Sequence, residues 1–574
     1  LSRTLVPTMA KYLLHHRAHE ATSRNPFVML QHRFERGFEA LRAAYSRLLQ
    51  LVLAHPGRLI AGFMTFVALS FALVPFLGQD FFPEVDTGQI KLHVRAPTGM
   101  RIEEMTKLTD RVEQAIRTVI PAGEMDSTVD NIGLSVSGIN MAYNNSGTIG
   151  VGDGDILISL KPGHGPTADY VRRLRERLPR DFPGTTFSFL PADMVSQILN
   201  FGAPAPIDIQ IVGNDLAASR AYANGLLPRI QAISGVVDAR VQQAFETPTL
   251  NVDVDRSLAG LVGLTEKDAA NVLLTTLAGS TQTAPTYWLD PKTQVTYPVD
   301  VQMPQRDIGT IGGLQNLSLT TGSSTTEPQL LGGLATIRRG PSNAVVTHYN
   351  TRPVIDIYAT IQGRDLGAVA SDIRKVLGDT RQALPKGTTT ALRGQVQTMT
   401  GAYSDLLSGL GFAIVLIYLL IVVNFQSWLD PFIVIMALPA ALAGIVWSLF
   451  ATGTPVSVPA LTGAIMCMGV ATANSILVIS FARERLAAGA DALTATLEAG
   501  TTRIRPVLMT ALAMIIGMLP MAIEPGQNAP LGRAVIGGLL FATCATLVLV
   551  PTLFSVIHGR SRKRSVVLAL PAPA

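Results

Sequence analysis

Asn474 stands in the run MCMGVATANSILVISFA, residues 466–482, which contains no charged side chain. Gly463, Cys467, Ala471 and Asn474 recur at spacings of four and three, so on a helix they form one face of small residues carrying a single amide. Such a face lets a neighbouring helix approach closely, and an amide on it can form an interhelical hydrogen bond worth on the order of 1 kcal/mol. Further on, in TRIRPVLMT, Arg503 precedes Thr510 by seven residues, which sets the two on one helical face about two turns apart. Amides and hydroxyls relay hydrogen bonds but do not titrate near neutral pH, so Asn474, Ser475 and Thr510 can support a charge-changing group without being one. Arg503 and Arg505 also suit a plainer duty as membrane-edge anchors.

These residues need helices in an apolar setting, and the composition supplies it. Of 574 residues, 48% are apolar and only 15% are charged, well below the share usual in soluble proteins. Apolar runs near 58-78, 406-424, 431-451, 459-482, 507-523 and 533-557 have the length of membrane-crossing helices, giving six spans. Both cysteines, Cys467 and Cys544, fall inside spans and read as small packing residues. The chain opens on Leu1, and LSRTLVPTMAKYLL reads as the tail of an apolar helix running into basic sequence, as expected of a chain cut mid-protein.

Orientation follows from the basic residues. The 1–57 segment, the connection FARERL to TTRIRP, and HGRSRKRS near the end carry them, which makes those faces cytoplasmic. The insert from about 79 to 403 lies on the other side and is net negative by about four charges. Positive-inside topology therefore accounts for the basic balance, and no nucleic-acid partner is expected. Residues 11–50, with Phe34, Phe38, Leu41, Tyr45, Leu48 and Leu49 at helical spacing, read as an amphipathic helix on the inner membrane surface.

The large insert alternates strand and helix patterns. QIKLHVRAP, RIEEMTKLTDRVEQAIRTVI, DILISLKP, ADYVRRLRERL and TTFSFLPA make a split βαβ layout. A second copy starts at PIDIQIVG and resumes at PVIDIYATIQG, around a Gly/Thr/Ser-rich insertion. The expected organisation is 1-57, helix end and amphipathic linker; 58-78, a span; 79-203, a first α/β pore-type unit; 204-246 with 351-403, a second α/β unit; 247-350, an inserted docking-type unit; 404-557, five spans; and 558-574, a tail. The fold class is a membrane α-helical bundle with a large α+β domain of ferredoxin-like split βαβ repeats.

Four motifs in order carry a family resemblance: FFPEVDTGQIKLHVRAPTGM, NFQSWLDPFIVIMALPAALAG, GVATANSILVISFARERL and TTRIRPVLMTALAMIIGMLP. Together they resemble the C-terminal half of a resistance-nodulation-division (RND) efflux permease, and LSRTLVPTMAKYLL is similar to the end of that family's sixth helix. The resemblance implies a proton-driven exporter of the bacterial inner membrane with its large domain in the periplasm. It also implies a homotrimer that works with a periplasmic adaptor and an outer-membrane channel on a small-molecule substrate. Arg503 and Asn474 match positions near the family's proton pathway, and Thr510 joins them as a candidate relay residue. In the drug-exporting branch a lysine immediately before the asparagine pairs with acidic residues of the other half; here that place is Ala473. The titrating carboxylates are then expected in the other half, with this half supplying hydrogen-bond partners.

Cargo is less legible. Met100, Met105, Met125, Met141, Met194, Met303 and Met399 are scattered, and His93, His164 and His348 are isolated in sequence, so no metal-ligand set is read. The expectation is export of drugs or other amphiphilic compounds, with heavy-metal efflux or a lipid- or protein-translocating relative as alternatives. NFQSWLDPF reads as a connecting turn, with Trp428 at the headgroup level and Asp430 at a helix N-terminus. No G-x-S-x-G, H-E-x-x-H or clustered Cys/His pattern occurs in the insert, so neither an enzyme nor a cofactor is expected.

Overall fold

A computed structural model describes residues 5, 8–9, 12, 26–135, 147–200, 203–320 and 327–568. Most of the expected helix tail at the start of the chain, Met141 and the last residues of the tail lie outside this set.

The chain enters on helix α1 (Pro26–Ala54), followed by α2 (Pro56–Phe71). The first outer unit then runs β1 (Gln89–Arg95), α3 (Ile102–Val119), β2 (Met125–Ile132), β3 (Asp153–Leu160), α4 (Thr167–Asp181) and β4 (Thr186–Leu190). Its sheet is antiparallel in the order β2-β3-β1-β4. Strand alternation sends Ile90, Leu92, Val94, Ile156, Ile158, Phe187 and Phe189 into the core against α3 and α4. The opposite sheet face keeps Lys91, His93, Arg95, Asp153, Asp155 and Ser188.

The second unit comprises β5 (Ile207–Val212), α5 (Leu216–Gln231) and β6 (Val236–Val241). An insertion follows, built on the ribbon of β7 (Thr247–Val254) and β8 (Ala335–Ser342). The unit then resumes with β9 (Arg352–Ile361), α6 (Leu366–Asp379) and β10 (Thr389–Gly394). Its strands lie in the order β6-β9-β5-β10, the same arrangement as in the first unit. Asp215 and Asp365 cap α5 and α6, each accepting a backbone N–H in the first turn.

No linker separates the second unit from the membrane helices. Gly394, at φ +77°, ends β10 and starts α7 (Gln395–Phe425); a Cβ there would lie 2.5 Å from the Pro206 carbonyl oxygen, so the turn requires glycine. The remaining helices are α8 (Leu429–Ile435), α9 (Leu438–Ala451), α10 (Val458–Ala487), α11 (Ala492–Ile523) and α12 (Ala529–Leu568). Among the described residues six segments are long and apolar enough to cross a membrane: Pro56–Phe76, Gln395–Phe425, Leu429–Ala451, Val458–Ala487, Ala492–Ile523 and Ala529–Gly559.

The fifth differs from the sequence expectation. Its helix starts at Ala492 and runs through Pro506, which therefore sits inside a helix rather than at its start. The helix survives because one missing N–H breaks one rung, while the flanking turns and packed neighbours hold the rest. Helix α12 packs against α9, α10 and α11 through small residues: a Cβ on Gly537 would lie 2.2 Å from Ser448 Cβ, and one on Gly463 would lie 2.9 Å from the Leu531 carbonyl oxygen. Much of α1 is exposed, but Tyr45, Leu49 and Leu53 are buried against the bundle. One face of the expected amphipathic helix is therefore docked on protein.

At the large-domain end of the bundle, main-chain bonds join the membrane loop to the second unit. Asp80 N–H donates to the Val456 carbonyl at 2.9 Å and Gly367 N–H to the Gln79 carbonyl at 2.8 Å. Tyr403, on α7, donates its hydroxyl to the carbonyls of Asp80 and Val456 at 2.7 and 2.6 Å. Asp80 Oδ1 accepts Leu366 N–H at 2.7 Å, at the N-terminus of α6.

Candidate functional site

The small-residue face of α10 is real: Gly463, Cys467, Ala471 and Asn474 are all buried. Asn474, only 3% exposed, accepts a hydrogen bond on Oδ1 from the hydroxyl of Thr510 on α11 at 2.8 Å. Thr510 Oγ1 also lies 2.9 Å from the Val507 carbonyl oxygen, the position of a helical back-bond, so its single hydroxyl hydrogen is shared between the two acceptors. Two residues chosen from sequence for their polarity therefore touch. The Asn474 amide nitrogen is buried and has no hydrogen-bond partner among the described residues. Such an N–H favours any acceptor brought to it, because an unpaired buried donor costs about 1–3 kcal/mol.

Arg503 does not join the pair. Its guanidinium lies over the Phe481 ring, 5.0 Å from the centroid, on the neighbouring helix. Arg505 stacks in the same way on Phe38 of α1, at 5.6 Å. Next to Asn474, Ser475 meets Thr546 of α12 at 2.9 Å in a second buried polar contact, which sequence reading left out because hydroxyls on apolar helices are common.

Asp430 is also more than a turn residue. It is 1% exposed, with Arg483 Nη1 at 3.3 Å and His558 Nε2 at 3.4 Å. A carboxylate flanked by Trp428 and Pro431 in WLDPF was the available signal, but its partners lie on α10 and α12, far away in sequence.

In the outer domain, His93 is not isolated: its Nδ1 lies 2.7 Å from Asp155 Oδ1 on the adjacent strand, and both are buried. Lys91 approaches the same carboxylate at 3.7 Å, and Arg95 bonds Asp153 at 2.9 Å and the Gln242 carbonyl, also at 2.9 Å, so this polar face bears on the second unit. His164 stands 4.0 Å from Asp86. Arg175 of α4 bridges the units through Asp238 at 2.8 Å and Gln362 at 2.9 Å. Met105 and Met399 are core residues.

Between the outer units and the membrane loops lies an open cavity of about 860 Å³. Phe76, Phe81, Phe82 and Leu199 give it apolar walls, while Asp80 and Glu84 bring carboxylates. Burial pushes Asp80 up to about 6, despite the Leu366 N–H, with the negative charges of Asp365 and Glu84 adding to the rise. Glu84 keeps solvent-accessible surface inside the recess, yet the surrounding protein displaces bulk water and raises its carboxyl above the usual range.

Six apolar helices and a mixed-sheet domain fit the fold of an RND permease. The chain belongs to the AcrB/AcrD/AcrF family, whose model matches residues 1–558. It is 25% identical over 530 residues to the cobalt-zinc-cadmium resistance protein CzcA of Cupriavidus metallidurans, covering 90% of this chain and 48% of that protein. It is 26% identical to the multidrug resistance protein MdtC of Serratia proteamaculans, covering 96% of this chain and 52% of that one. The crystal structure of a heavy metal efflux pump superposes with a TM-score of 0.75 at 24% identity, over 91% of this chain and 52% of the other. The chain spans about half the length of the curated relatives it matches.

Proposed function

We propose that the chain is the C-terminal half of a proton-driven export permease of the bacterial inner membrane. The observation that carries this reading is the Asn474–Thr510 bond in a helical layer without charged side chains. It is a hydrogen-bond site waiting for a titrating partner, which the other half of the permease supplies. The domain bounded by the first two spans lies in the periplasm, and its two units with matching strand order are ferredoxin-like repeats. By family membership the working assembly is a homotrimer served by a periplasmic adaptor and an outer-membrane channel. Exposed apolar residues on α7, such as Phe412, Leu420 and Val423, face lipid or the other half.

The cargo reading is amphiphilic organic compounds. A cavity of about 860 Å³ at the membrane surface, apolar with carboxylates, has the size and mixed character of a site for drug-sized molecules. Heavy-metal cations are the second reading, favoured by the buried His93–Asp155 pair and by relatives named for metal resistance. Susceptibility profiling separates the two: a strain deleted for the gene is compared with one carrying the intact protein, against cationic dyes and detergents and against zinc, cobalt and cadmium salts. Sensitisation to organic compounds alone supports the first reading. Sensitisation to metals alone replaces it with the second, and no sensitisation to either overturns both.

A further inference from the structure

Helix α1 uses only part of its apolar surface on the bundle. Tyr45, Leu49 and Leu53 are buried, and Phe38 packs with them beneath the Arg505 guanidinium, so one face is seated on α11 and α12. A second apolar row adjoins that face along one side: Phe34, Leu41 and Leu48 at spacings of seven, with Leu51 three residues further on. These four are 68%, 49%, 51% and 70% exposed, so among the described residues the row has no cover.

Charge is sorted across the same helix. At about 3.6 residues per turn, Arg33 and Arg47 border the open row and Arg36 adjoins them, whereas Glu35, Glu39 and Arg42 fall beyond the other side of the seated face. Arg33 and Arg47 are exposed and make no ion pair or hydrogen bond among the described residues. The helix also has a fixed level. It stops at Ala54, the first span begins at Pro56, and its seat at Gly500 lies one turn from Arg503 on α11, at the edge of the apolar layer. A lipid headgroup layer at that level offers acyl chains to the apolar row and phosphates to the guanidiniums, which bind such oxyanions through paired N–H groups. A second copy of the chain meeting this side with the same side would set arginine against arginine.

We propose that this side of α1 is a binding surface for anionic phospholipid. Phe34, Leu41, Leu48 and Leu51 enter the acyl boundary of the leaflet, and Arg33 and Arg47 hold the headgroup phosphates. Zwitterionic lipid carries a phosphate too, but its own cation cancels the charge that the arginines answer, so lipid with net negative charge collects here. The two sides of one helix then act together, because lipid bound along the open row holds the other face on its seat at Gly500. The surface is independent of what the permease exports and of what drives export.

Contact quenching on the intact protein tests this. In a Cys544→Ala background, which leaves only the buried Cys467, a bimane label is attached at Leu48→Cys or, on the far side of the helix, at Gln50→Cys. The protein is reconstituted in phosphatidylcholine vesicles that contain either brominated phosphatidylglycerol or brominated phosphatidylcholine, since bromine quenches only what it touches. The label at Leu48→Cys should be quenched several-fold more by the brominated phosphatidylglycerol than by an equal amount of the brominated phosphatidylcholine, while the label at Gln50→Cys stays bright. The preference should collapse in the double variant Arg33→Gln/Arg47→Gln and in about 0.5 M salt, and persist in Arg42→Gln. No quenching at Leu48→Cys means that protein, the other half of the permease or a second copy, covers the row, and it overturns the proposal. Equal quenching by the two lipids overturns it as well, as does a preference that survives the loss of both arginines.

Discussion

The hydroxyl of Tyr45 donates to the carbonyl of Leu547 at 2.7 Å, and it reaches that position because residue 500 is glycine. A Cβ on Gly500 would sit 2.6 Å from the Tyr45 oxygen and 2.8 Å from Leu49 Cδ2. The seat of α1 on the bundle is cut to backbone depth. Gly500→Val should therefore cost about 1–3 kcal/mol of overpacking and lift α1, measurable as faster proteolysis within 26–54. Tyr45→Phe, which keeps the ring and loses one bond, should cost only about 1 kcal/mol.

Thr510→Val keeps the shape of the side chain but leaves the Asn474 amide with neither end paired among the described residues. Export should fall about ten-fold or more while the amount of inserted protein stays the same, whereas Thr510→Ser should retain most activity. Equal activity in Thr510→Val and the wild type removes the pair from the mechanism.

Asp80 gives a pH prediction with a definite sign. Its folded-state carboxyl is raised to about 6, above its ordinary 3.8, so between these values the folded protein holds a proton that the unfolded chain has released. This group therefore makes the protein less stable as pH rises from about 4 to about 6, with its full penalty above that. Asp80→Asn keeps an oxygen for the Leu366 N–H and removes the charge. It should raise the unfolding midpoint at neutral pH and change it little at pH 4, as differential scanning at the two pH values would reveal.

The crossing of α9 and α12 has no room for a methyl group. Gly537→Ala would place Cβ 2.2 Å from Ser448 Cβ and 2.6 Å from the Gly444 carbonyl oxygen, both rigidly held. Helices in an apolar solvent associate through such close packing. The yield of monodisperse protein in mild detergent should drop sharply, and a normal yield would mean that the helices can separate at this point without penalty.

Sequence reading reached as far as local pattern goes. Apolar run length found the six spans, and period-two and period-three-to-four alternation found β1, α3, β3, α4 and β4, because these signals sit within single elements. Asn474 and Thr510 stood out because polar residues are scarce on apolar helices. What stayed hidden depends on pairing across the fold. His93 and Asp155 are 62 residues apart and looked isolated until strand register made them neighbours. Asp430 looked like a helix-start residue because nothing nearby in sequence announces Arg483 or His558. The apolar run expected from 507 hid the helix that already begins at Ala492, because local preference at Pro506 favours a helix start and the packed bundle overrides it.

The matching strand orders of the two outer units conceal an unequal task during synthesis. In the first, β1 pairs with β3 (Gln89 with Ser159) and with β4 (Lys91 with Leu190), and its sheet can close as soon as β4 has emerged. In the second, β9 must find both β5 and β6 after the whole insertion has been made, so its central ladders, such as Ala359 with Ile207 and Ile357 with Val241, join segments farther apart in sequence than any pair in the first sheet. Until then β5 and β6 wait as unpaired, largely apolar edges, open to wrong partners. The slow step in building this protein, and the stage at which it is most prone to aggregate, should be the return of β9.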